Sequence, residues 1–221
     1  MRTRPTTATA AAALTAAVTL LLSGCGGSDS EDSGKDKIAG ADTGASASAS
    51  PTPSSSDDGI ERPEVRLPQG VKDVFEDGET GDDEKDAVLA DHERNMTAID
   101  AAITGDQAAA QPAVKFYNKD AALLSAAEYI QSFYDNDRSF VGTTRYYKRE
   151  VTLLNGGAAA LTYCIDGTKT YPKDRKTGKV DKSIPASADD YTFVTERLEK
   201  NDQGVWQSAK VTSGAGAEKC M

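Results

Sequence analysis

The chain has 221 residues with 25 basic and 35 acidic side chains and one histidine, a formal net charge of −10. A net negative protein is repelled by nucleic acid and by anionic headgroups, since both associations rest on neutralising phosphate with Lys and Arg, so nucleic-acid binding is disfavoured from the start. The length suits one ordinary domain, and the most apolar run, Ala8 to Leu22, has 15 residues, short of the roughly 20 a helix needs to span a bilayer.

Arg2 and Arg4 precede that run, and Leu22-Ser23-Gly24-Cys25 closes it. The stretch resembles a bacterial lipobox. The resemblance implies cleavage between Gly24 and Cys25, a lipid on the Cys25 side chain, and a mature protein anchored to the extracytoplasmic face of the cell membrane. An uncleaved N-terminal anchor is the alternative. Without residues 1–24, a lipoprotein signal peptide on this reading, 197 residues remain, with 23 basic and 35 acidic side chains. Residues 25–59 form the lipidated Cys and a Ser, Gly, Ala and Asp-rich tether, which cannot bury enough to offset the entropy of ordering. Its expected reach is about 30 Å, and its Ser, Thr and Pro content permits O-glycosylation.

A single domain is expected over residues 60–221. Pro63, Val65, Leu67, Pro68, Val71, Val74 and Phe75 give an extended, Pro-punctuated lead-in. The acidic stretch Glu76 to Glu84, like Asp135 to Ser139 further on, lacks the register of a calcium loop and reads as a solvated loop. Thr80 and Asp83 stand at capping-box spacing before a helix in which Val88, His92, Met96, Ile99 and Ile103 share one face, stopped by Gly105. His92 therefore faces inward or nearly so, as a core-edge imidazole with one hydrogen-bond partner or as a pocket-lining acid or base. Asp106 to Asp120, interrupted by Pro112, predicts one or two short helical turns. A second long helix follows over about Ala121 to Tyr134, then a polar loop.

After Gly142 the period changes from about 3.6 to 2, and four strands are predicted. Thr144 to Leu154 meets Ala158 to Ile165 through Asn155-Gly156-Gly157, and Tyr191 to Lys200 meets Val205 to Ser213 through Asn201 to Gly204. Between the hairpins, Asp166 to Ala188 reads as a solvated excursion carrying Lys169, Lys173, Arg175, Lys176, Lys179 and Lys182, the one basic patch on an acidic protein. With Cys25 taken by the lipid, Cys164 and Cys220 remain in an oxidising space, where a single disulfide is expected; two buried free thiols are the alternative. No Cys-x-x-Cys spacing or His cluster supports a metal, and no cofactor motif is present.

The order lipobox, tether, helices, then four strands resembles actinobacterial surface lipoproteins without an assigned chemistry. The phrases that carry the likeness are Val74-Phe75-Glu76, Thr80-Gly81-Asp82, Lys85 to Leu89, Tyr146-Tyr147, Thr177 to Val180 and Gly204-Val205-Trp206-Gln207. The resemblance implies an α+β fold of the nuclear-transport-factor-two-like or cystatin-like kind, N-terminal helices packed on a curved antiparallel four-stranded sheet to make a cone. Enzymes on that fold place an Asp, His or Tyr inside the cone, and no such catalytic phrase is visible here.

Function is therefore expected to be non-catalytic: a lipid-anchored monomer binding a small ligand or an envelope protein. This expectation rests on missing motifs: no nucleophile elbow, no His-Glu-x-x-His, no phosphate loop. The alternatives are an isomerase- or cyclase-like enzyme using His92 or Tyr163 in a cone pocket, and a cell-wall contact protein whose basic excursion touches anionic polymer. An open apolar cavity with convergent polar groups would favour a ligand or catalysis; a closed core would favour a partner surface.

Overall fold

A computed structural model describes residues 58–221; the expected signal peptide, Cys25 and nearly all of the expected tether fall in residues 1–57, outside the described residues. Three helices, α1 (Asp83–Thr104), α2 (Gln107–Tyr117) and α3 (Asp120–Asp135), pack against one face of a five-stranded sheet. The strands β1 (Val71–Phe75), β2 (Arg138–Leu154), β3 (Ala158–Asp174), β4 (Tyr191–Lys200) and β5 (Trp206–Ala215) lie in sequence order across it. The α+β order agrees with the sequence reading. The count of four strands does not.

The fifth strand is β1, which pairs parallel with β2 from Val71 opposite Gly142 to Phe75 opposite Tyr146. Pro63 and Pro68 suggest mere lead-in, but both lie upstream of the paired residues. Gly70 turns the chain with φ +88°, and its carbonyl accepts the Gly142 N–H at 2.7 Å. Gly142 itself has φ +113°, and a Cβ there would stand 2.1 Å from the Lys169 carbonyl oxygen, so only glycine lets β2 and β3 close up at this point.

α1 ends at Gly105 as expected but is capped differently. Asp82, not Thr80, accepts the N–H groups of Glu84 and Lys85, while Thr80 donates both its N–H and its hydroxyl to Asp86 Oδ1. α2 is three turns long rather than one or two. Asp106 caps it, and Ala110, Ala113, Val114 and Tyr117 recur at helical spacing to bury one face. Pro112 forfeits one backbone bond, which this packing against α1 outweighs. β2 begins at Arg138, six residues early, and β3 runs on to Asp174, so Lys169 and Lys173 sit on a strand rather than in a loop.

Two apolar clusters share the interior. The first half of α1, with Val88 and Leu89, packs on Leu161, Val194, Leu198 and Trp206 of the sheet. Its second half, with Ala98, Ala102 and Ile103, packs on α2 and α3 through Ala113, Val114, Ala126 and Ile130. The entering chain is fastened by Asp91, which is buried and accepts the Trp206 N–H at 2.9 Å, Arg94 at 2.9 Å and Arg62 at 3.3 Å.

The expected disulfide is present between Cys164 and Cys220, Cα atoms 5.5 Å apart. Cys164 stands in register between Tyr147 and Phe193. The bridge and these aromatics form a small cluster of their own.

Candidate functional site

Alternation along the strands builds one wall of a cavity. Tyr146, Ile165, Thr192 and Ala215 are opposite one another across β2 to β5, and Tyr163, Val194 and Ser213 form the next row. All seven face the helices, and all seven line a cavity of about 890 Å³. α1 supplies Met96, Ile99 and Asp100, one turn or less apart, and α3 supplies Ala126, Tyr129 and Phe133. Ile184, Pro185 and Ala186, between β3 and β4, reach its rim, with Ile184 exposed. The size and largely apolar lining are those of a site for a small organic molecule.

Into this apolar lining the chain places one acidic centre. Asp100 is buried and accepts a hydrogen bond from the Tyr146 hydroxyl at 3.0 Å. β1 delivers a second carboxyl, because its inward positions are Val71 and Asp73, and Asp73 stands opposite Thr144 of β2. Burial pushes both acids up: Asp73 to about 9, helped by its neighbour Asp100, and Asp100 to about 6, against the opposing bonds from Tyr146 and Asp73. With both ionised, neither Asp73 oxygen has a donor among the described residues. Two neighbouring buried carboxyls oppose each other's ionisation, which favours the state with one proton on the pair. The hydroxyl of Tyr146, desolvated beside these acids, is held far above its ordinary range.

Of the two residues singled out by sequence, Tyr163 lines the cavity and His92 does not. The imidazole lies behind the Tyr163 ring, centroids 4.4 Å apart, and meets Phe75 and Tyr146 edge-on at 6.3 Å each. It is fully buried, and neither ring nitrogen has the single hydrogen-bond partner expected of it. A carboxyl also lies beside it, that of Glu196, Nε2 to Oε2 3.9 Å. Desolvation and the Arg149 guanidinium drive the imidazole well below its ordinary value, while burial raises Glu196 to about 7. Burial thus disfavours charge on both the imidazole and the carboxyl, so the contact is not that of a fixed ion pair. The hydroxyls of Tyr163 and Ser208 are the other polar neighbours of Glu196, without reaching hydrogen-bonding geometry.

Cys164 and Cys220 sit apart from the cavity lining, and Cys25 lies outside the described residues. Among the described residues no group of three or more His, Cys, Asp or Glu is arranged to hold a metal, and no helix is long and apolar enough to cross a membrane. Sequence reasoning missed Asp73, Asp100, Tyr146 and Glu196. A signal existed for Asp100, which lies four residues after Met96 and eight after His92 and so interrupts the inner face of α1 with an acid.

No family model matches the chain. No curated protein matches it either. Solved structures with similarity include a ketosteroid isomerase-like protein from Erwinia carotovora atroseptica, 20% identical, covering 61% of this chain and 97% of its own, with a TM-score of 0.43. The intermembrane space region of the chloroplast protein ARC6 is 10% identical over 62% of this chain and 99% of its own, also with a TM-score of 0.43. A de novo β-sheet design is 16% identical over 61% and 93%, with a TM-score of 0.32. At such identities and TM-scores none of these likenesses brings an activity or a ligand to this chain.

Proposed function

We propose that this domain is a non-catalytic binding module that takes up one small, largely apolar molecule and is held at the extracytoplasmic face of the cell membrane by the lipid on Cys25. The observation that carries the binding half is the open cavity of about 890 Å³ between α1, α3 and the helix-facing side of the sheet. A domain made only to meet a protein partner has no reason to leave such a volume unfilled, since an empty space of this size forfeits packing contacts throughout its lining. The location rests on the resemblance of Leu22-Ser23-Gly24-Cys25 to a lipobox and of the phrases quoted above to those of actinobacterial surface lipoproteins. The test is a panel of small aromatic and aliphatic compounds added to the full chain in lipid nanodiscs, with empty nanodiscs as reference. Raised thermal stability and protection of α3 amides from exchange are expected for some members. If a broad panel leaves both unchanged, the cavity is not a ligand site.

One observation favours a second reading, an isomerase- or cyclase-like enzyme: the buried Asp100 carboxyl lines the cavity beside the Tyr146 hydroxyl at 3.0 Å, and burial pushes it toward the protonated form that can donate. Turnover of a bound compound that is lost in Asp100→Asn would establish it. His92 has no role in this reading, because the Tyr163 ring stands between it and the cavity.

A further inference from the structure

We propose that the cavity selects a molecule carrying one cationic nitrogen on an apolar body, an amine whose ammonium group rests against the Asp100 carboxylate beside the Tyr146 hydroxyl. This rests on the reading of the cavity as a ligand site and adds the chemical class. Asp100 on α1 is buried, lines the cavity and accepts the Tyr146 hydroxyl at 3.0 Å, while Asp73 on β1 is a second buried acid acting on it, with no hydrogen-bond partner of its own among the described residues. With one of the two neighbouring acids protonated, one negative charge remains on the pair. No Lys, Arg or His is among the groups acting on either acid, so the charge has no cationic partner among the described residues. A buried charge of this kind is stabilised by a counter-ion, and the cavity that Asp100 and Tyr146 line gives one access to it.

The remaining lining agrees. Arg138 is the only guanidinium and is exposed, whereas Asp100, Asp181 and Asp190 are all acidic. An anionic ligand would bring like charge to the acid pair, and a neutral one would leave the pair unmatched. Met96, Ile99, Phe133, Phe140, Ile165 and Val194 would surround the apolar body.

Three probes with one apolar body and different charge test this: naphthylethylamine, naphthylethanol and naphthylacetate, titrated at pH 7 into the full chain in zwitterionic phosphatidylcholine nanodiscs, against empty nanodiscs. The amine is expected to bind about tenfold to hundredfold more tightly than the alcohol, the range of one charge-assisted hydrogen bond, and the acetate most weakly. Asp100→Asn should bring amine and alcohol to within about threefold of each other by losing that bond. In the parent protein, amide shifts on adding amine should centre on Asp100 and Tyr146, a readout that holds even if the Asn variant fails to fold. Equal binding of amine and alcohol, or preference for acetate, overturns the amine assignment while leaving the cavity a ligand site. Amine preference that survives in folded Asp100→Asn, or shifts confined to the exposed acids of residues 76–84, also overturns it. If none of the three binds, the ligand reading fails and this inference with it.

Discussion

Breaking the bridge between Cys164 and Cys220 should lower stability by an amount that the structure allows to be worked out. The cysteines are 56 residues apart in sequence, so in the unfolded chain the bridge closes a long loop; the chain-entropy model assigns that constraint on the order of 4 kcal/mol. The folded state should change little on opening, because the C-terminal segment has other fastenings: the Ala217 N–H bonds to Tyr191 O at 3.1 Å, Lys148 Nζ to Lys219 O at 2.7 Å, and the Tyr147 hydroxyl to Cys220 O. The loss should therefore reflect the unfolded chain. At about 2 to 4 °C per kcal/mol for a domain of this size, reduction or a double Cys→Ser change should lower Tm by roughly 8 to 16 °C. Circular-dichroism melts with and without reductant measure this, and intact mass after alkylation verifies the thiol count. Two free thiols in the unreduced protein would refute the bridge. A shift under about 2 °C after verified reduction would refute the loop-constraint account.

Four further outcomes are expected. Asp73 is protonated more readily in the folded protein than at its ordinary value of 3.8, so the stability it contributes is complete below that pH and is lost as pH rises toward about 9; Tm of the parent should fall relative to Asp73→Asn over that window, and parallel curves would refute the raised Asp73 value. Gly142→Ala should cost about 3 kcal/mol or more in urea unfolding, from positive φ and the clash with Lys169 O, whereas Gly156→Ala, with φ +76° and nothing within 4 Å, should cost about 1 kcal/mol. His92→Gln should cost about 1 to 2 kcal/mol and leave probe binding unchanged, since the imidazole is outside the cavity lining; a folded variant that no longer binds would place His92 in the site after all. Cys25→Ser should leave the precursor uncleaved and remove it from the detergent phase, and unchanged partitioning would refute the lipobox.

The parts of the fold that the sequence made legible are those where one periodicity acts alone. α1 follows directly from its apolar spacing, acidic cap and Gly105, α3 from its apolar spacing, and the hairpin turn from Gly156 and Gly157, both with positive φ. α2 was harder. Its buried positions Ala110, Ala113 and Val114 are small, so the helical stripe is faint, and Pro112 counted as a break although tertiary packing absorbs it. β1 was harder still, because a five-residue parallel strand with an acid at one of its inward positions has no apolar alternation to display.

Those two failures explain why the site was illegible. Asp73 conceals β1 as a strand because it faces inward, where its neighbour is another buried acid, Asp100 of α1. Each acid looks misplaced alone: one spoils a strand pattern, the other a helix face. Together, with Tyr146 from a third element, they form a unit that no single stretch of sequence displays, 27 residues separating the first from the second and 46 the second from the tyrosine. His92 attracted notice as the only histidine, yet burial makes it neutral and the Tyr163 ring screens it. A scarce residue type draws the eye in a sequence. What marks this cavity instead is two common residues placed where their own elements disfavour them, an exception to local consistency of the kind expected at functional sites.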